Sequence, residues 1–321
     1  FIEELKSLDN ENWDEIDNTL HLIQSIIRIF CAMFFHQELI TTEYSEMVVR
    51  CFHALLDIET SPDHEHKLKE FIVDNAYWFA MSASDESIQN LLSPKFIEII
   101  LYFLELQDFQ GQDTQESIKY INTDKLSTFE TIGNITEHDD QFSLFFLQPP
   151  IDLLNKMNDY NNWENETKHS FLKILSNFTA CHDPTPSLNM IESSEMTEFL
   201  KSIFTDCSFN AQNEAFIVLF NMILSKNSSL IEYVLTNFSD IFQNSIEFLK
   251  ADNLYFNTLC CYSIYICYKY LETQSDEMKI EFIGSIKNYE WVNLFEKFSL
   301  SSDEKLSGLG HILFDIIEKS D

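Results

Sequence analysis

A helical pattern that returns at a nearly constant interval, each time with an asparagine near its end, limits this chain more than any other feature. Residues 127–141 read as one helix running into a polar turn, with Asn134 near the helix end. Residues 174–180 place Asn177 in the same setting, and residues 214–222 do so for Asn221. The intervals are 43 and 44 residues. Upstream, residues 78–82 run towards Asp85, Glu86 and Ser87 as another such helix end. A helical unit of this length cannot bury its apolar face alone. It does so by stacking on its neighbours.

A helical period of about 40–47 residues is the signature of armadillo and HEAT arrays. Composition agrees. The 321 residues are 45% hydrophobic, with 29 Phe but only 5 Gly and 6 Pro, which suits long packed helices and argues against a β-sandwich or a glycine-rich phosphate loop. The expectation is an all-α, right-handed armadillo-repeat solenoid of about six repeats, filling residues 1–321 as a single array.

Charge narrows the partners. Acidic residues number 53 against 20 basic, a formal net charge of −33. Only Arg28 and Arg50 are arginines. Nucleic acid needs a basic footprint and an anionic membrane surface attracts the same sign, so neither is expected. No segment is long and apolar enough to span a bilayer; the best stretch, 259–271, is short and carries Lys269. An acidic surface attracts basic partners. The 7 cysteines form no Cys-x-x-Cys pair, and most lie in apolar helical runs, as reduced thiols do.

Along the chain, helices are expected at 20–35, 43–57, 67–83, 87–92, 94–106 and 126–136. More follow at 141–148, 151–157, 167–179, 194–204, 212–224, 230–238, 241–249, 254–271, 281–287, 292–298 and 302–319. Residues 61–66, 159–166 and 181–186 read as turns or loops, and the Gln- and Asp-rich stretch 107–124 as a long polar inter-helix loop. No strands are expected.

Catalytic and metal chemistry find little support. Asp63-His64-Glu65-His66 offers adjacent ligands that seldom converge on one ion. Cys181-His182-Asp183 names a nucleophile, a base and an acid, but neighbours on a loop lack triad geometry. Gly308 and Gly310 lack the third glycine and the strand of a dinucleotide motif, and read as a close helix contact. No enzyme activity, cofactor or metal is expected. The asparagine ladder is different. An amide both donates and accepts, so one per repeat can bond an extended peptide at regular steps, with nearby aromatics stacking on Lys or Arg. The competing role for each Asn is to cap its own helix.

These segments resemble importin-α, the armadillo adaptor of nuclear import. Residues 129–141 (Phe-Glu-Thr-Ile-Gly-Asn-Ile-Thr-Glu-His-Asp-Asp-Gln) are similar to a segment of that family. So are residues 176–180, residues 214–221 and residues 76–82, and they occur in family order at near-family spacing. The resemblance implies a groove that holds basic localisation signals. Trp78 would be a groove tryptophan, and Asn134, Asn177 and Asn221 groove asparagines. Glu214 would pair with a cargo Lys or Arg. Four residues before each Asn, where the family has Trp or Arg, this chain has Glu130, Lys173 and Ile217. His36 stands where an earlier Asn would be, and Ser82 where a Tyr is usual. Glu130 makes its part of the groove more acidic. The candidate peptide-binding residues are therefore Trp78, Ser82, Glu130, Asn134, Asn177, Glu214 and Asn221. Implied partners are basic, Lys/Arg-rich cargo peptides or proteins, importin-β through an arm preceding these residues, and the export receptor through the last repeats. The implied locations are cytoplasm and nucleus. The alternative is an armadillo or HEAT scaffold, or an assembly chaperone, that holds a protein complex without reading such signals.

Overall fold

Long helices whose apolar residues spread around the whole cylinder alternate with shorter helices that are apolar on one side. The computed structural model describes residues 13–34, 42–58, 62–105, 115–157, 160–193 and 195–319. Among these residues there are 17 α-helices and no strand. The chain forms two compact units, residues 1–174 and 175–321.

The first unit contains α1 (Trp13–Phe34), α2 (Thr42–Leu56), α3 (Pro62–Ala80), α4 (Asp85–Leu91), α5 (Pro94–Leu104), α6 (Gln115–Thr136) and α7 (Asp140–Leu147). Two short 3-10 turns, Leu153–Met157 and Tyr160–Asn162, lead into α8 (Asn165–Ala180). The long helices stack, α1 on α3 and α3 on α6, while α2, α4 and α5 pack beside them. Phe129 of α6, Phe171 of α8 and Trp163 form a triangle of rings with centroids 5.0–5.3 Å apart. Offset and tilted rings at this spacing are favourable beyond the area they bury.

The second unit continues with α9 (Thr185–Glu192), α10 (Met196–Asp206), α11 (Phe209–Leu224), α12 (Ser228–Asn237) and α13 (Ile241–Leu249). It closes with α14 (Leu254–Gln274), α15 (Asp276–Ile286), α16 (Tyr289–Ser299) and α17 (Glu304–Glu318). Here α11, α14 and α17 make the stack. In α11 every residue from Ala215 to Ile223 is buried, because helices cover it on several sides. The outer helices show the opposite pattern. In α10 the buried side chains are Met196, Phe199, Leu200 and Ile203, and in α16 they are Trp291, Leu294, Phe295 and Phe298. That is a single stripe at three- and four-residue steps.

Starts of helices are written locally. Ser93 accepts from the Phe96 N–H, and Pro94 stands in the first turn of α5. Asn253, Asn288 and Asp303 accept from Phe256, Trp291 and Leu306 in the same way. Each such cap contributes about 1 kcal/mol.

Four sequence expectations fail. Residues 115–124 are the first turns of α6 rather than loop, and 106–114 lie outside the described residues. Polarity misleads there because the side chains of Asn122 and Asp124 face inward. Asn122 Oδ1 accepts the Glu164 N–H at 2.9 Å, its Nδ2 donates to the Asn162 carbonyl at 3.4 Å, and Lys125 is 2% exposed beside the Trp163 ring. Residues 62–66 open α3 instead of forming a turn. Thr185–Glu192, not expected as a helix, is α9, with Pro186 in its first turn. Residues 153–157 wind as a 3-10 turn and not as a full helix. The Gly308–Gly310 contact is half right. A side chain at Gly310 would stand 2.5 Å from the Ser299 nitrogen on α16, whereas Gly308 has nothing within 4 Å.

Candidate functional site

Asparagine amides stitch one long helix to the next. In the first unit, Asn134 of α6 donates through Nδ2 to the Tyr77 carbonyl of α3 at 3.2 Å. One turn on, His138 places Nε2 2.6 Å from the Ala80 carbonyl, an oxygen that only accepts, so Nε2 carries the proton. These carbonyls belong to the last turn of α3, where the Tyr77 oxygen also takes the Met81 N–H at 3.3 Å. In the second unit, Asn221 of α11 donates to the Ser176 carbonyl of α8 at 3.4 Å. Ser263 of α14 in turn reaches the Phe220 carbonyl of α11 at 3.5 Å. Each amide or hydroxyl therefore serves the end of a neighbouring helix. The sequence offered peptide contact or capping of the residue's own helix, and for Asn134 and Asn221 the structure shows a third arrangement.

These bonds fix the repeat register. Asn221 bonds the carbonyl just before Asn177, and Ser263 the carbonyl just before Asn221. Asn134 bonds the carbonyl just before Trp78. Trp78 thus holds the asparagine position of its helix, not the tryptophan position four residues earlier that the resemblance implies. Ser82 falls one turn further on, in register with His138. Its hydroxyl lies 3.4 Å from the Trp78 and Phe79 carbonyls, so it closes the end of α3. The preceding interval is longer than 43 because extra helical residues lie between α3 and α6, and this hid the register in the sequence. His36 lies outside the described residues.

With the register corrected, the position four residues earlier reads Asp74, Glu130, Lys173 in the first unit. Sequence reasoning missed Asp74, and the signal was there: it precedes Trp78 by the same four residues that separate Glu130 from Asn134. Burial pushes the Asp74 carboxyl above the usual range, offset in part by a Ser127 hydrogen bond and by the charge of Arg28. Burial also pushes Glu130 up; the Lys173 ammonium pulls it down and the Asp74 carboxylate pushes it up again. Tyr77 is raised by burial and then by Glu130. Trp78 is 38% exposed, a large value for a tryptophan, with Tyr77 packed edge-on at 5.3 Å. The Arg28 guanidinium of α1 lies over the Trp78 ring, 6.0 Å from its centroid. This face combines an exposed aromatic ring with two carboxylates whose charge is only partly neutralised. It can stack a guanidinium or an alkyl-ammonium stem and pair its charge.

In the second unit, Asn177 and Glu214 are half-buried and Asn221 is buried. The Tyr255 hydroxyl is raised by burial and then by the Glu214 carboxylate, so Glu214 faces α14. The Cys181-His182-Asp183 segment makes a turn in which Asp183 accepts from the Thr185 N–H and hydroxyl, at 2.9 and 2.6 Å. Among the described residues no group of His, Cys, Asp and Glu could hold a metal ion, and no helix is long and apolar enough to cross a membrane. His66 of the Asp-His-Glu-His run instead joins an internal chain. Its Nδ1 is 3.2 Å from the Tyr102 hydroxyl and its Nε2 3.3 Å from the Asp124 carboxylate.

No protein-family model and no curated protein matches the sequence. Solved structures do match in fold. A designed armadillo repeat protein superposes with a TM-score of 0.57 at 14% identity, covering 83% of this chain and 98% of that one. Another, solved in complex with the peptide (KR)4, gives 0.55 at 12% identity with 83% and 98% covered. A computationally designed armadillo repeat protein for modular peptide recognition gives 0.59 at 13% identity, again with 83% and 98% covered. Likeness at such identities bears on fold alone, and with the stacked helices above it makes this chain an α-solenoid of the armadillo-repeat type.

Proposed function

We propose that the chain is a non-enzymatic protein-binding adaptor that takes a basic, extended segment of a partner on the first unit's face of Asp74, Trp78, Glu130 and Asn134. The observation that carries this reading is the placement of Arg28. It already sets a guanidinium over Trp78 beside Asp74, the arrangement that an arginine or lysine of a bound segment would adopt next to Glu130. The under-neutralised carboxylates favour a positive ligand, and the net charge of −33 speeds its approach. The designed neighbour solved in complex with (KR)4 supports the same class of ligand on the same kind of scaffold.

Within that class, the import-adaptor reading follows from the resemblance. The ligand would be a nuclear localisation signal, and the protein would work in cytoplasm and nucleus. Importin-β and the export receptor belong to this reading as partners. A second reading, a scaffold or assembly chaperone, draws on the Asn134 and Asn221 amides. Their donors are engaged inside the protein, so they are building material for the stack before they are ligand contacts.

The test is a titration of a Lys/Arg-rich localisation peptide and a scrambled peptide of the same composition, at low and physiological salt. Trp78→Ala and Glu130→Gln report on the face, since neither residue makes a stitching bond. We expect preference for the native order and a loss of about fivefold in each variant, the worth of one exposed cation–π or ion-pair contact. Equal binding of both peptides, unaffected by either substitution and abolished by salt, would sink the adaptor reading and leave the scaffold.

A further inference from the structure

We infer that the face of Tyr262 in the second unit is a binding site for an anionic side chain, a carboxylate or a phosphate, carried by a polypeptide partner. The inference is independent of the basic-segment reading, because it concerns other residues, the other unit and the opposite charge.

The starting point is how the lysines of this unit are neutralised. Lys201, Lys250, Lys269, Lys279, Lys297 and Lys319 each pair with a carboxylate. In a chain with 53 acidic residues that is the expected fate of a lysine. Lys226 and Lys305 pair with no carboxylate among the described residues. Both bring their ammonium groups to the same ring, each 5.9 Å from the Tyr262 centroid. Two like charges brought to one ring repel each other, and the ring returns only a modest attraction for each at an exposed position. An anion at this ring offsets the repulsion and accepts a charge-assisted hydrogen bond from an ammonium group.

Two local features hold the arrangement. Lys226 follows the last turn of α11 with φ of 59°, the left-handed conformation that glycine usually supplies at this point. A side chain there is strained, and the chain carries a lysine in spite of it. Tyr262 is half-buried and runs parallel to Tyr265, with ring planes 14° apart and centroids at 6.4 Å, so the ring has a fixed orientation. The site also sits on the ladder. Tyr262 directly precedes Ser263, whose hydroxyl bonds α11 one residue before Asn221.

Electrostatics make the site easy to isolate. The net charge repels anions from the surface at large, and at physiological salt a charge is felt over only about 8 Å. Anion binding must then come from a local cluster.

The experiment titrates the full chain with three fluorescein-labelled decapeptides on one Gly/Ser frame, at physiological salt. One carries paired glutamates, one paired phosphoserines and one paired glutamines. The expected result is that an anionic peptide binds and the glutamine peptide does not. Lys226→Gln with Lys305→Gln should weaken that binding about tenfold, the loss of one charge-assisted bond. Both lysines are exposed, so the double variant keeps its fold, which circular dichroism checks. Binding of the phosphoserine peptide alone assigns the site to phosphate, and binding of both assigns it to carboxylate as well. If neither anionic peptide binds more tightly than the glutamine peptide, or if the double variant binds as the parent does, the inference is wrong.

Discussion

Asp124 shows how a single polar residue can both hold and tax this fold. It is 7% exposed and faces His66, Glu70 and Asp74 of α3, with Tyr102 of α5 on the far side of His66. Burial first, and then the Glu70 and Asp74 charges, raise its carboxyl to about 6 against the pull of His66, from an ordinary 3.8. The sign follows from linkage. The folded state holds this proton more tightly than the unfolded state, so its contribution to stability is greatest below about pH 4 and is lost as the pH rises towards 6. Asp124→Asn keeps an acceptor for His66 and removes the buried charge. The variant should gain stability over the parent across that window and keep the gain at pH 8. Urea midpoints of both proteins at pH 5 and pH 8 measure it, and a difference independent of pH would contradict the assignment. The residue also marks a limit of sequence reading. Asp124, Asn122 and Lys125 look like loop residues because side-chain polarity carries no information about which way it points.

At the scale of elements, most of the helices were legible from their apolar stripes. The Phe- and Leu-rich stripes of α10, α13 and α16 declare themselves through spacing alone. What spacing did not reveal was contact between helices. Gly308 and Gly310 are equivalent in the sequence, yet only Gly310 lies against the α16 backbone, where an added carbon would meet Ser299, Phe298 and Phe295. Those are main-chain atoms, which cannot swing aside. Gly310→Ala should therefore cost about 1–3 kcal/mol through overpacking. Gly308→Ala should be neutral or stabilising by up to about 1 kcal/mol, because it replaces a flexible residue in a helix with open space around it. Equal effects of the two substitutions on the denaturation midpoint would contradict the close contact. The asparagine ladder carries the same lesson. Its period disclosed the repeat, while the direction of its hydrogen bonds, from each helix to a neighbour, depends on stacking. The misplacement of Trp78 by four residues came from that gap.

For the whole molecule, repetition and charge are the two properties that sequence and structure share. Repetition sets Trp78 and Asn134 at matching places on two stacked long helices of the first unit, with Asp74 and Glu130 one turn earlier on each. A net charge of −33 speeds the approach of positive ligands but carries no position. In the proposed site Arg28 supplies the location. It rests on Trp78, so a basic segment bound there must share or displace it, whereas Arg50 is exposed and pairs with Glu46 on α2. The decisive measurement compares the affinity of the Lys/Arg-rich peptide for the parent, Arg28→Ala and Arg50→Ala. Both variants lose one positive charge, so any general electrostatic gain is common to them. The account predicts that Arg28→Ala binds about threefold more tightly than Arg50→Ala, the value of freeing one exposed cation–π contact. Equal affinities in the two variants, or weaker binding in Arg28→Ala, would contradict a basic-segment site at Trp78.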